Sequence, residues 1–196
     1  DSTLATTMWQ RLTESAEKFN EPGRFTALIG FEWTLMPDGK NLHRNVLFRD
    51  GKDKADQIIP ASAYDFQDPE KLWTWMGNYE RKTGGKLLAI PHHGNISNGL
   101  MFDDKTLESG KAFDRGYAER RSRWEPLYEV TQIKGDTEAH PFLSPEDELA
   151  NYERWDKASF GPEPKTKAML HGEYAREALK NGLAFDVKLG ANPFQF

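Results

Sequence analysis

The chain has 196 residues, 37% of them hydrophobic, a formal charge of −5 and no cysteine. That length suits one domain, the chain as a whole has no basic excess of the kind that binds nucleic acid, and no apolar run is long enough to span a bilayer. Without cysteine there is no disulfide, thiolate metal site or cysteine nucleophile, so any metal must be held by His, Asp, Glu or water.

The opening stretch, DSTLATTMWQRL, has no charged segment leading into an apolar one, as a secretory leader would. This leaves the compartment open, and a cysteine-free chain is compatible with export to a bacterial periplasm. Residues 6–19 place Met8, Trp9, Leu12, Ala16 and Phe19 near one helical face, and Asn20, Pro22 and Gly23 end that helix. FTALIGFEWTL (25–35) and LHRNVLF (42–48) read as two strands joined by a turn, MPDGKN. Residues 49–67 are loop-like. Asp68-Pro69-Glu70 starts a helix carrying Leu72, Trp73, Trp75, Met76 and Tyr79, which Gly84-Gly85 stops. KLLAIP is then a short apolar strand of the kind covered on both faces. A polar loop fills 94–116, with RGYAERRSRW as a short helix at its end. PLYEVTQI is a strand and KGDTEAHPFL a loop. Ser144-Pro145-Glu146 opens a helix to about Trp155, and 166–180 form a last helix capped by Asn181-Gly182. The alternation of strands and helices predicts an α/β fold with a largely parallel sheet, open or barrel-like.

In such folds, sites gather at the carboxyl ends of strands. Glu32 lies late in its strand, His43 begins the next, His92 and His93 follow KLLAIP, Glu129 sits inside PLYEVTQI, and Asp136, Glu138 and His140 lie in the loop beyond it. A carboxylate in an apolar strand is costly unless something positive meets it. A divalent metal would meet it, with histidines as natural co-ligands. Each residue alone also has a plain reading: Glu32 in a salt bridge, His43 across a strand pair, His140 capping a turn, His171 as a helix residue. The adjacent pair is the stronger signal. Successive strand side chains point opposite ways, so one of His92 and His93 faces the site and the other packs. Arg44, Arg120, Arg121, Arg123 and Lys134 are either solvated surface or an anion clamp. Six Trp and twelve Phe either fill a core or line a cleft.

GFEWT, NLHRNVLFRD, LAIPHHGNISNGLMF, RRSRWEPLYEVTQIKGDTEAHPFLSPEDE and LGANPFQF together resemble the family termed domain of unknown function 3604, from about Trp9 to Phe196. That family resembles the PHP (polymerase and histidinol phosphatase) metalloesterases. The resemblance implies an irregular (β/α) barrel of seven strands, and a centre of two or three zinc, manganese or iron ions that hydrolyses phosphate esters. Gly30-Phe31-Glu32 resembles the family's G-x-E segment, with Glu32 as bridging carboxylate. His43, His92 and Glu129 resemble further ligands. Because Pro91 precedes the histidine pair, the choice between His92 and His93 stays open. His140 is a further ligand or substrate contact, and His140 or His93 would protonate the leaving oxygen. Arg44, Arg120, Arg121, Arg123 and Lys134 would hold a small phosphorylated or otherwise anionic substrate. The H-x-H and D-x-H pairs of such enzymes are absent. The resemblance puts them before residue 1 and after Phe196, so the chain is expected to be one domain, interior to a longer protein and inactive until other segments complete it. The expected function is a metal-dependent phosphoesterase. The alternatives are another metal-dependent hydrolase (of an amide or sulfate ester) and a non-catalytic glycan- or ligand-binding module.

Overall fold

The computed structural model describes residues 2–196. Helix α1 (Ser2–Phe19) leads into a three-stranded sheet of β1 (Ile29–Trp33), β2 (Arg44–Phe48) and β3 (Leu87–Pro91), in that order. A short helix, α2 (Lys52–Ala55), and a long one, α3 (Pro69–Thr83), separate β2 from β3. Beyond the sheet come α4 (Arg115–Trp124), a two-stranded hairpin of β4 (Thr131–Gln132) and β5 (Gly135–Asp136), and α5 (Ala175–Leu189). The molecule is mixed α/β. Both sheets are antiparallel and neither closes into a barrel among the described residues. The expected parallel sheet is therefore replaced by neighbouring strands that turn back on one another. The only parallel contact among the described residues is a single bridge, His92 to Glu129. No described helix is long and apolar enough to cross a membrane.

Local chemistry accounts for α3. The Asp68 carboxylate accepts from the Glu70 N–H at 2.7 Å, Pro69 occupies the first turn, and Leu72, Trp73, Met76 and Tyr79 bury one face. In β2, Arg44, Val46 and Phe48 are buried while Asn45 and Leu47 are half-buried, and β3 alternates in the same way. KLLAIP is thus buried on one face rather than two. The core joins these strands to Trp9, Trp33, Leu72, Trp73, Met76, Trp124 and Phe194.

Several predicted elements differ: PLYEVTQI is a strand only at Thr131–Gln132, and the loop-like 49–67 contains α2. In α1, Trp9 and Thr13 are buried, against Ala55 and Asp56, while Met8, Leu12 and Phe19 are exposed. Its partners are the four-residue α2 and the Phe31 and Phe48 rings of the sheet, which together cover only one stripe. Residues 144–155 form turns, not a helix, and Leu149 and Tyr152 are exposed. Without an apolar face to bury, that segment cannot repay the entropy of helix formation. The last helix begins later and runs through Asn181-Gly182 to a cap at Gly190, with residues 167–172 as a separate 3₁₀ segment.

Candidate metal centre

Antiparallel pairing brings the end of β1, the start of β2 and the end of β3 to one end of the sheet. Glu32 pairs with Asn45, and Arg44 pairs with Pro91. Continued by one residue, that register sets His43 opposite His92, and His43 lies diagonally from Glu32 on the same face. The side chains converge accordingly. His43 Nδ1 lies 2.7 Å from Glu32 Oε1, and His92 Nε2 lies 3.5 Å from the same oxygen. The two rings meet edge to face, with centroids 5.7 Å apart.

These three residues offer one donor atom each within 4.8 Å of one another. Ion–donor bonds of about 2.0–2.2 Å let donors on one ion stand up to roughly 4.4 Å apart, so a small side-chain adjustment closes the set. His43 and His92 are set into the protein, whereas the Glu32 side chain is 43% exposed, so the cluster opens to solvent. His43 Nε2 and His92 Nδ1 are buried with no hydrogen-bond partner. They are not the ring nitrogens that meet Glu32, and buried polar atoms of that kind call for an unseen water. Two imidazoles and a carboxylate fit zinc, manganese or iron(II). Burial lowers the His43 pKa, against the opposing charge of Glu32.

The segment after His92 is held in place from several sides. His93 adopts a left-handed conformation (φ 58°), which breaks strand alternation and leaves its ring 5.3 Å from that of His92. The Asn41 amide donates to the carbonyls of His92 at 2.8 Å and His93 at 3.4 Å. Gly94 passes so close to its neighbours that a Cβ would stand 2.3 Å from the Glu173 carbonyl, and its N–H donates to the Tyr128 hydroxyl. The Asn95 amide donates to the carbonyls of Lys134 (3.0 Å) and Trp155 (2.9 Å). Beneath the loop, the Lys165 ammonium meets the Glu173 carboxylate at 2.6 Å, both buried. Burial pushes the Glu173 carboxyl up to about 7, against the pull of Lys165.

The other predicted site residues are distributed differently. Glu129 reaches the centre by its backbone, its N–H donating to the Pro91 carbonyl, and its carboxylate is not in the three-residue set. His93 is buried, and its Nε2 lies 3.3 Å from the Lys134 ammonium. Burial, helped by Lys134 and His92, pulls its pKa down to about 4, so it is neutral near pH 7 and not poised as an acid. His140 stands apart: its Nδ1 accepts from the Phe142 N–H and its Nε2 lies 2.8 Å from Asp156, leaving neither ring nitrogen for a ligand or leaving group.

Arg44 does not join the anion clamp. It follows His43 in the strand, so alternation turns it to the buried face, where its Nε donates to Glu125 at 3.0 Å. Arg121 Nε lies 3.3 Å from the other oxygen of Glu125. Arg120 pairs with Glu70 and Arg123 with Glu80. Of the five basic residues, Lys134 alone is brought beside the histidines. Sequence reasoning missed Asn41, Glu125, Lys165 and Glu173. Glu125 was signalled only indirectly, by an arginine alternating with apolar residues in β2, which demands a buried counter-charge.

Fold and site together define a mixed α/β protein with a two-histidine, one-glutamate cluster at one end of an antiparallel sheet. The chain belongs to the family described as Protein of unknown function (DUF3604), whose pattern matches residues 1–196. No curated protein and no solved structure matches it.

Proposed function

We propose that the protein is a metal-dependent hydrolase, acting on phosphate esters, with Glu32, His43 and His92 holding a divalent cation. The observation that carries this reading is the convergence of three oxygen and nitrogen donors on one solvent-facing point. Structural metal sites are closed by four protein ligands, whereas hydrolytic ones keep three and leave room for water and substrate. When bound, the cation supplies a Lewis acid that brings the pKa of water toward neutrality. The chain's own residues do the positioning. Glu32 offers one oxygen to both imidazoles, and the β2–β3 register and Asn41 hold His92 against β2.

The glycan-binding alternative has less support, because Trp9, Trp33, Trp73 and Trp124 are spent in the core. The test is metal content by plasma mass spectrometry, together with hydrolysis of p-nitrophenyl phosphate, on the protein and on Glu32→Gln and His92→Ala. Stoichiometric metal and chelator-sensitive turnover, both lost in the variants, are expected. Equal metal in all three proteins would return these residues to a structural role. Metal without turnover would leave a binding module.

A further inference from the structure

The β4–β5 hairpin has a two-residue tip, Ile133-Lys134, set by the pairing of Gln132 with Gly135. The tip is not loose. Asn95, three residues beyond His92, donates one amide to the carbonyls of both Lys134 and Trp155. The loop that presents His92 thus also anchors the backbone of Lys134. From there the ammonium reaches to 3.3 Å from His93 Nε2, and its charge is felt at His43. Among the described residues no carboxylate pairs with it, while Arg44, Arg120, Arg121 and Arg123 are all paired. An ammonium has three N–H donors, and the His93 ring accepts one.

We propose that Lys134 is the specificity-determining residue of the centre, donating to an oxyanion of the substrate beside the Glu32, His43 and His92 cluster and selecting dianions over monoanions. This rests on the metal-dependent reading above. The charge count favours a dianion: a divalent cation and the Lys134 ammonium, set against the Glu32 carboxylate, leave two positive charges. Ligating imidazoles add none, being neutral when bound. A dianion neutralises that site and a monoanion does not. Lysine suits the task as a compact charge on a flexible stem, whereas the flanking arginines are held in fixed pairs.

The test is calorimetric titration of inorganic phosphate and of dimethyl phosphate, at pH 8, into the manganese-loaded protein and its Lys134→Met and Lys134→Arg variants. Bound manganese is measured in each. Lys134 is exposed and its ammonium meets the His93 ring, not the Glu32, His43 and His92 side chains, so the variants are expected to fold and to keep their metal. Wild type should bind phosphate more tightly than dimethyl phosphate. Lys134→Met should lose tenfold or more in phosphate affinity with little change for dimethyl phosphate, and Lys134→Arg should retain most of the preference. Equal phosphate affinity in wild type and Lys134→Met, or no phosphate binding by the loaded wild type, would overturn the role of Lys134 while leaving the metal centre standing. No manganese in the wild type would overturn the metal-dependent reading itself, and this inference with it.

Discussion

Arg44 and His43 are neighbours in sequence and opposites in role. His43 faces the solvent end of the sheet with Glu32. Arg44 faces inward and, with Arg121, closes on Glu125, which also accepts from Trp73 Nε1 at 3.0 Å. Arg44 and Glu125 are each only 2% exposed. Removing one partner of such a group strands the others without a counter-charge, at a cost of about 3–5 kcal/mol. Glu125→Gln should therefore lower the urea midpoint sharply, even though glutamine keeps the shape. The pH dependence follows. Burial alone would raise the Glu125 pKa, but the two guanidiniums hold it below its ordinary 4.5. A depressed carboxylate stabilises the fold fully above its unfolded value, and that stability is lost as pH falls below 4.5 through the folded value. Urea unfolding from pH 7 to pH 3 should show a steeper acid limb in wild type than in Glu125→Gln. Parallel curves would remove Glu125 from the account.

Elements were legible where their signals were local. The cap and proline of α3, its apolar stripe and the strand character of 29–33, 44–48 and 87–91 all lie within a few residues. Signals failed where a distant partner decided the outcome. Asn181-Gly182 has the look of a helix terminus, yet α5 continues because Gly182 lets Asn192 pack against the helix. A Cβ there would lie 2.3 Å from Asn192 Oδ1, which accepts from the Phe194 N–H. Helix propensity alone predicts that Gly182→Ala stabilises by up to about 1 kcal/mol. Overpacking against a buried side chain costs about 1–3 kcal/mol, so the variant should be destabilised and Phe194 loosened. A rise in melting temperature for Gly182→Ala would show that Asn192 yields freely. The helix expected over 144–155 failed for the converse reason, since its proline start and acidic first turn had no core to meet.

At the scale of the molecule, the three residues of the cluster lie at the ends of β1, β2 and β3, and the intervening α2 and α3 set His92 far along the chain from Glu32 and His43. The folded chain assembles the site and the unfolded chain does not, so a bound cation should stabilise the fold by mass action. Free metal at a hundredfold excess over its dissociation constant adds about 2.7 kcal/mol. For a chain of this size that is a rise in melting temperature of roughly 5–10 °C. Manganese or zinc should produce such a rise in wild type and not in Glu32→Gln. An equal rise in both would place the ion elsewhere.

The sequence by itself determined the chemistry available: no thiols, an acidic net charge, and Glu32, His43 and His92 at the ends of short strands. Residue type and local periodicity are enough for that. Only the tertiary structure decided which charges meet. Each strand residue faces one side or the other, and the choice is made by register with a strand far along the chain. Antiparallel pairing sent His43 to the open end and Arg44 to Glu125, 81 residues away. The left-handed turn at His93 and the short β4–β5 hairpin then brought Lys134 beside the histidines. No spacing in the sequence records that approach, because it depends on one amide, Asn95, joining two loops.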